Sequence, residues 1–369
     1  GDRNIIIGSY ATPSSATVDN EVTIGDSNIT KFRVPALNFV VKSSTATQGH
    51  VLTVDANGEA GFAAASGGGL SSDAQYNTVG GTNAGANFSG TSATNNTLIG
   101  YQAGYSMTTG DFNTAVGQNA LYAITTAEFN TAIGRQSLPA LTTGHSNTAV
   151  GMNIGLALTT GNYNNLYGNY AGQDLTTGEK NIAIGYFALA NATTHNENVS
   201  IGYRAGFSTT SDHNVYIGHE SGFSNTTGNE NTCIGADTGY SLTTGVYNTL
   251  TGSNAGKACT TGGKNTLIGR DAGLSLTSQS NNTFVGYNCG ENATCNNTTG
   301  VGSDALFSHT TGTNTTAVGY GAGLNNTTGA RNVFLGSYSG TSFSPSGAIS
   351  TTDGVVCLGD NNVTDLYCA

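Results

Sequence analysis

The chain has 369 residues, of which 54 are Gly and only 4 are Pro, and it contains no Trp. Charged residues make up 9%, against roughly 25% in an average globular protein, and 11 Lys and Arg face 22 Asp and Glu for a net charge of −11. These numbers exclude several classes. A disordered chain would carry more charge and proline, and a collagen needs Gly at every third residue. Phosphate-backbone binding needs a basic stripe, so no nucleic-acid partner is expected. No apolar run approaches the roughly 18 residues of a membrane span, so no membrane insertion is expected of this segment.

Taken from the N-terminus, residues 1–42 read as the end of one β-roll and its neck. Arg3-Asn4-Ile5-Ile6-Ile7-Gly8-Ser9-Tyr10 echoes Arg331-Asn332-Val333-Phe334-Leu335-Gly336-Ser337-Tyr338, and Ile24-Gly25-Asp26 echoes Leu358-Gly359-Asp360. Residues 43–69 combine a hairpin over 51–62, with Asn57-Gly58 as its turn, and a flexible Gly/Ala/Ser joint over 63–69. Residues 70–94 form a cap, 95–340 carry a repeat, and 341–369 form a C-terminal neck resembling 9–35. The chain begins Gly1-Asp2 and its first methionine is Met107, so it reads as a segment of a longer or processed product.

The repeat dominates the sequence. An anchor glycine recurs at Gly100, Gly117, Gly134, Gly151, Gly168, Gly185, Gly202, Gly218, Gly235, Gly252, Gly269, Gly286, Gly302, Gly319 and Gly336, in steps of 17 residues with two steps of 16. A helical repeat would need about 34 residues for a helix pair, and so many glycines inside helices would be costly. Four residues before the anchor stands Asn in most repeats, beginning with Asn96, Asn113, Asn130 and Asn147. One residue before it stands a β-branched or apolar residue such as Ile99, Val116 or Ile133. Eight residues after it stands Thr in fourteen successive steps, beginning with Thr108, Thr125, Thr142 and Thr159.

Asn-Thr-Ala-Ile/Val-Gly alternates as a short strand does. Each unit therefore reads as one coil of a parallel β-solenoid, with two short strands and two glycine corners, giving an all-β β-roll of about 14 coils. Coils stacked about 4.8 Å apart bring identical side chains together. The Asn and Thr columns would form structural hydrogen-bonded ladders, and the Ile and Val before the anchor would stack into a core. Each coil offers only two or three sizeable apolar side chains, and small cores rarely stabilise themselves. The roll is expected to intertwine or pack with further copies of itself.

The Asn-Thr-Ala-Val/Ile-Gly strands followed by x-x-Ala-Gly resemble the head repeats of trimeric autotransporter adhesins, the YadA-like β-roll. The longer unit, with Leu-Thr-Thr-Gly between strands at 141–144, 158–161, 175–178 and 242–245, is similar to bacteriophage tail-fibre and virion-fibre proteins. The resemblance covers about two thirds of the chain, and the 17-residue coil is longer than the usual adhesin-head coil. It implies a parallel homotrimer exposed on a virion surface, or alternatively on a bacterial cell surface. The partners it implies are a host-surface glycan or protein and the neighbouring fibre or baseplate proteins of the virion.

Little in the sequence suggests catalysis. Cys233, Cys259, Cys289, Cys295, Cys357 and Cys368 form no C-x-x-C pair and read as small buried residues. A disulfide joining Cys289 to Cys295, or one near Cys357 and Cys368, is an open alternative. The six histidines (His50, His145, His195, His213, His219 and His309) mostly fall in corners and read as solvated. No metal-binding spacing occurs among them, and Gly-rich calcium repeats are missing. Glu220, Asp237, Asp271 and Asp304 lie just past different anchors on one edge. Paired carboxylates there could hydrolyse a glycan, but solvated charge that blunts aggregation is the stronger reading. Aromatic residues at corners, among them Tyr101, Phe112, Phe129, Tyr163, Tyr186 and Tyr203, suit either sugar stacking or subunit contacts. The expectation is a non-enzymatic fibre protein with no catalytic residue, metal or cofactor, which mediates attachment through receptor-binding residues the sequence does not identify. The alternatives are an adhesin head and, from a different class, an ice-binding solenoid using the Thr column.

Overall fold

A computed structural model of the chain describes residues 70–89, 92–344, 347–360 and 362–363, together with Arg3, strand β1 (Ile5–Ile7) and the backbone of β2 (Val22–Ile24), β3 (His50–Val54) and β4 (Ala60–Ala64). The chain divides into two units, residues 1–65 and 66–369. In the first, β1 pairs in parallel with β2, Ile5 opposite Val22 and Ile7 opposite Ile24. The two partners are 17 residues apart, the same step as the repeat. Strands β3 and β4 form an antiparallel hairpin, His50 opposite Ala64 and Val54 opposite Ala60. The expected Asn57-Gly58 turn, the 63–69 joint beyond Ala64, and the neck from residue 25 to 42 lie outside the described residues.

The second unit is a parallel β-solenoid. It contains β5 (Ser71–Ser72), β6 (Thr78–Gly80), fifteen three-residue strands from β7 (Thr97–Ile99) to β21 (Val333–Leu335), and β22 (Val356–Leu358). β5 pairs antiparallel with β6. From β6 onward every strand pairs in parallel with the next in sequence, Ala115 opposite Ala132 and Ala132 opposite Ala149. Since each strand bonds only to its sequence neighbours, the ladder is a stack with two ends rather than a ring. There are about 15 coils of the 17-residue period, and β6 and β22 extend the stack beyond them. Seventeen strands at about 4.8 Å span roughly 75–80 Å. No helix among the described residues is long and apolar enough to cross a membrane.

Each coil contains one strand, not the expected two. The run after the anchor glycine is held by turn bonds within the coil, as from the Ala103 N–H to the Gly100 carbonyl, and by bonds to the next coil, as from the Gly104 N–H to the Ala120 carbonyl. Left-handed residues two and four places after the anchor (Asn119, φ 57°, and Leu121, φ 50°) keep this run from extending. The backbone groups still find partners, as buried backbone must. The anchor itself requires glycine: at Gly185 φ is 135°, and a Cβ there would lie 2.3 Å from the Gly202 carbonyl oxygen of the next coil.

The core differs from expectation in its sidedness. The middle residue of each strand points inward: Leu98, Ala115, Ala132, Ala149 and Leu166 are all fully buried. The Ile or Val before the anchor, expected to stack inside, points outward, and Ile133, Ile184, Ile234 and Ile268 are each 38–39% exposed. A three-residue strand fixes this alternation, and the narrow coil interior takes the central residue.

That interior is filled by exchange of volume between two positions. In four of the six coils whose central strand residue is Ala or Gly (Ala115, Ala132, Ala183, Gly300), the position four after the anchor is a buried Leu (Leu121, Leu138, Leu189, Leu306). In the other two (Ala149, Ala317) it is Gly155 or Gly323, and side chains of the adjacent coils, Leu138 and Leu166 or Leu306 and Phe334, reach into the space. Where the central residue is large (Leu98, Leu166, Phe284, Phe334), that position is glycine, and a Cβ at Gly104, Gly172, Gly290 or Gly340 would meet the facing side chain at 3.1 Å or less. Close packing demands this complementarity. The apolar core falls into two clusters, one ending at Ala192 and one starting at Ala205. Between them the 16-residue coil buries Ser200, Thr209 and Ser211, and beside these the Tyr216 hydroxyl accepts a hydrogen bond from Asn225.

Candidate functional site

The stacked strands present one continuous outer face along the solenoid. Each strand projects two side chains outward, three and one residues before the anchor. The first column is mostly Thr (Thr97, Thr114, Thr131, Thr148), changes to Asn165, Ile182, Val199 and Val215 in mid-rod, and returns to Thr at Thr232. The second is Ile, Val or Leu except at Gly80, Tyr167 and Thr251. No charged residue occurs in either column from β6 to β22. About 75–80 Å of length and about 10 Å of width for three residues give roughly 750 Å². That footprint is shared between the Thr column and the aliphatic column.

Beneath one edge of this face runs the asparagine column. Asn96, Asn113, Asn130 and Asn147 are fully buried. The Oδ1 of Asn113 accepts both the backbone N–H (3.0 Å) and the Nδ2–H (3.1 Å) of Asn130, whose Nδ2 also donates to the Gly144 carbonyl at 2.9 Å. An amide offers two donors and two acceptor lone pairs, so each member is fully satisfied without water. The column is continuous from Asn77 to Asn282 and then passes through Thr298, whose N–H donates to Asn282 Oδ1. The threonine column is half-buried. Thr108, Thr125, Thr142 and Thr159 each donate their hydroxyl to the carbonyl of the Thr one coil on, at 3.1–3.2 Å. The same carbonyl accepts the backbone N–H of the donor residue. Those hydroxyls bind coil to coil rather than facing outward as a free array.

The four carboxylates proposed for one edge do share a column, two residues past the anchor, and each already has partners. Glu220 pairs with Arg204 at 3.1 Å, and Asp237 with Lys257 at 2.9 Å and His219 at 3.4 Å. Asp271 accepts from Asn254 at 2.9 Å and Asp304 from Asn288 at 3.1 Å. The hydrogen bond from Lys257, and a smaller one from His219, hold the Asp237 carboxyl below its usual range. Glu291 is pushed up by burial first and by Asp271 and Asp304 second. Donors of His219, Glu220 and Asp237 lie within 4.8 Å of one another, but Lys257 and Arg204 already neutralise the two carboxylates, which is poor chemistry for a cation site.

His145, His213 and His219 are exposed, whereas His309 is fully buried. It points inward seven residues past its anchor, where five coils carry Leu (Leu141, Leu158, Leu175, Leu242 and Leu276) and two carry Asn (Asn225 and Asn326). Its Nε2 donates to the Gly312 carbonyl and its Nδ1 accepts from Asn326. Burial lowers its pKa. Cys233, Cys259, Cys289 and Cys295 are buried thiols, and Cys289 is not bridged to Cys295. Cys357 is also buried, and Cys368 lies outside the described residues.

Aromatic side chains stack between coils in separate columns. Phe112 and Phe129 stack at 5.2 Å, as do Tyr105 and Tyr122. Phe207, Phe223 and Tyr240 form a continuous pile, with Arg204 lying 4.5 Å over Phe223. Rings within a pile cover one another's faces and leave mainly edges to solvent. The repeat phase placed these residues at corners, but only the coil geometry brings them face to face. The apolar column of the strand face was visible residue by residue and assigned to the wrong side. Comparison with protein-family models, with curated proteins and with solved structures finds no match.

Proposed function

We propose that this chain is a structural fibre protein of a phage virion, a tail fibre or similar appendage, in which several copies pack along their strand faces and project from the particle to attach to a host surface. The observation that supports this reading is the uncharged strand face, with its half-exposed aliphatic column, running the length of the solenoid. At roughly 750 Å² it matches the area of about 800 Å² that each partner contributes to a standard stable interface. A long exposed column of aliphatic side chains left bare is an aggregation liability. A partner with the same repeat of about 4.8 Å meets an aliphatic side chain at nearly every coil, and another copy of this chain has that repeat. Three copies is the number implied by the resemblance to fibre and adhesin-head repeats. The same geometry suits a bacterial adhesin head. The carboxylates on the edge are bound by cations and amides, which favours a non-catalytic role.

The strand face also supports a second reading. Its Thr and Ile/Val columns form a regular array, in register from coil to coil, of the kind an ice-binding surface would use. Mid-rod replacement of Thr by Asn165, Ile182, Val199 and Val215, and the bulk of Tyr167, interrupt that array while leaving it apolar. Association is therefore the better-supported use. Ile184→Glu combined with Ile234→Glu tests the two together. Association predicts smaller particles of unchanged β content. An unchanged mass, with thermal hysteresis in the parent that the substitutions abolish, would support ice binding instead.

A further inference from the structure

We propose that a gap in one aromatic column is a binding slot for a neutral sugar ring, which deepens the attachment reading and rests on it. The column lies five residues before the anchor, at the corner leading into the strand, and is left-handed in every coil: Phe112, Phe129, Ser146, Tyr163 and Lys180 have φ between 56° and 60°. A shared backbone conformation at a shared register makes these side chains leave the rod in parallel. Phe112 and Phe129 show the result, with stacked rings at 5.2 Å and an interplanar angle of 6°. At Ser146 the pile loses its ring, and at Tyr163 it resumes.

Phe129 and Tyr163 are two coils apart, roughly 10 Å at about 4.8 Å per coil. That is the space one inserted ring requires when it stacks on both neighbours at the separation seen for Phe112 and Phe129. A cavity of about 420 Å³ occupies this place, lined by Glu128, Phe129, His145, Ser146, Asn162 and Tyr163. Phe129 and Tyr163 are 55% and 58% exposed, so the slot is open to solvent. It differs from the Phe112–Phe129 stack in that Phe129 and Tyr163, on either side of Ser146, make no ring contact with each other.

The rim identifies the ligand class. His145 Nδ1 accepts the Glu128 N–H at 3.0 Å, which leaves the ring proton on Nε2 as a free donor. The Glu128 carboxylate makes no side-chain hydrogen bond among the described residues and is a free acceptor. Ser146 adds a hydroxyl at the floor. Apolar faces above and below with donors and acceptors around the edge fit a pyranose whose hydroxyls are equatorial and whose two faces carry axial C–H groups. A purely aromatic ligand would leave the polar rim unused. Glu128, Glu179 nearby, and the net charge of −11 repel acidic sugars, which gives the slot a preference for neutral ones. A second cavity of about 440 Å³, lined by Glu179, Lys180, Asn196 and Glu197 among others, lies further along the same edge. An oligosaccharide lying parallel to the rod would reach it.

The test is a glycan array carrying neutral and acidic oligosaccharides, followed by calorimetry of the neutral hits on the parent chain, Phe129→Ala and Ser146→Phe. Ser146→Phe is decisive because it completes the pile, filling the slot with the residue type the two preceding coils carry there. We expect binding to neutral, gluco-configured chains, weakened at least tenfold by either substitution, with a melting temperature for Ser146→Phe equal to or above the parent's. Neutral glycan binding that survives Ser146→Phe unchanged would overturn the slot while leaving attachment intact, since the glycan would bind elsewhere. No neutral glycan bound at millimolar concentration would also overturn it, and adsorption of the chain to host cells would then decide the attachment reading separately.

Discussion

The exchange of volume between the strand centre and the position four past the anchor makes a demanding prediction about the core. Leu166 fills the interior of its coil, and Gly172 faces it. The three atoms nearest to a Cβ at Gly172 would all belong to Leu166, at 3.1, 3.3 and 3.8 Å. Leu166→Ala alone should cost about 2–5 kcal/mol, the usual range for a buried Leu truncated to Ala with incomplete collapse. Gly172→Leu alone should cost about 2–5 kcal/mol, from about 1–2 kcal/mol for a side chain in the left-handed region and about 1–3 kcal/mol of overpacking. The double variant recreates the Ala183–Leu189 arrangement of the next coil, where Leu189 is fully buried at φ 52°. It should lie within about 1–2 kcal/mol of the parent, a favourable coupling of several kcal/mol. Urea denaturation of all four proteins, monitored by far-UV circular dichroism with hydrogen exchange at flanking coils, measures this. Additive penalties, with the double variant the least stable, would refute the packing account.

Asn147→Ala should cost about 2–6 kcal/mol, because the Asn164 N–H loses its acceptor and the Gly161 carbonyl loses a donor, at about 1–3 kcal/mol for each buried group left unpaired. Thr142→Val, which removes one half-buried hydrogen bond, should cost no more than about 1.5 kcal/mol, and equal losses in denaturant melts would contradict the ladder's role. His309 is neutral when buried, so its folded pKa is lowered. Its contribution is present above the ordinary value of about 6.5 and is lost as pH falls through that value toward the folded one. His309→Asn, which copies Asn225 and Asn326 at the same register, should flatten the pH 4–7 stability profile. Burial raises the Cys259 and Cys289 thiols to about 11 and about 12. Both should resist alkylation at pH 8.5 until the chain is denatured, and their contribution should fade as pH rises from about 8.5, where the unfolded thiol ionises, toward those values.

The period, the all-β class and the place of asparagine at one register were legible because a stacked coil repeats its contacts and therefore its residue types. The anchor glycine was legible for the same reason: no other residue tolerates both its φ and its neighbour's carbonyl. The sidedness of the strand was not. In Thr-Ala-Val the bulky residue looks like core and the Ala like filler, and only the buried Leu121 four places past the anchor shows that Ala115 makes room inside. The second strand was expected from apolar residues after the corner, but left-handed positions such as Asn119 and Tyr170 curl that run into turns. Left-handed backbone at non-glycine residues carries no strong signature, since Phe, Lys, Glu and Ser all occupy it here. The Phe129–Ser146–Tyr163 slot was hidden for the same reason, as it depends on side chains leaving the rod in parallel.

The mass of the chain in solution, measured by light scattering after size exclusion, tests the central claim most directly. The account predicts a single species at three times 37.3 kDa, in which the strand faces are covered and their Ile and Val side chains shielded. A stable, non-aggregating particle of 37.3 kDa would contradict it, since the whole apolar face would then be shown to tolerate water.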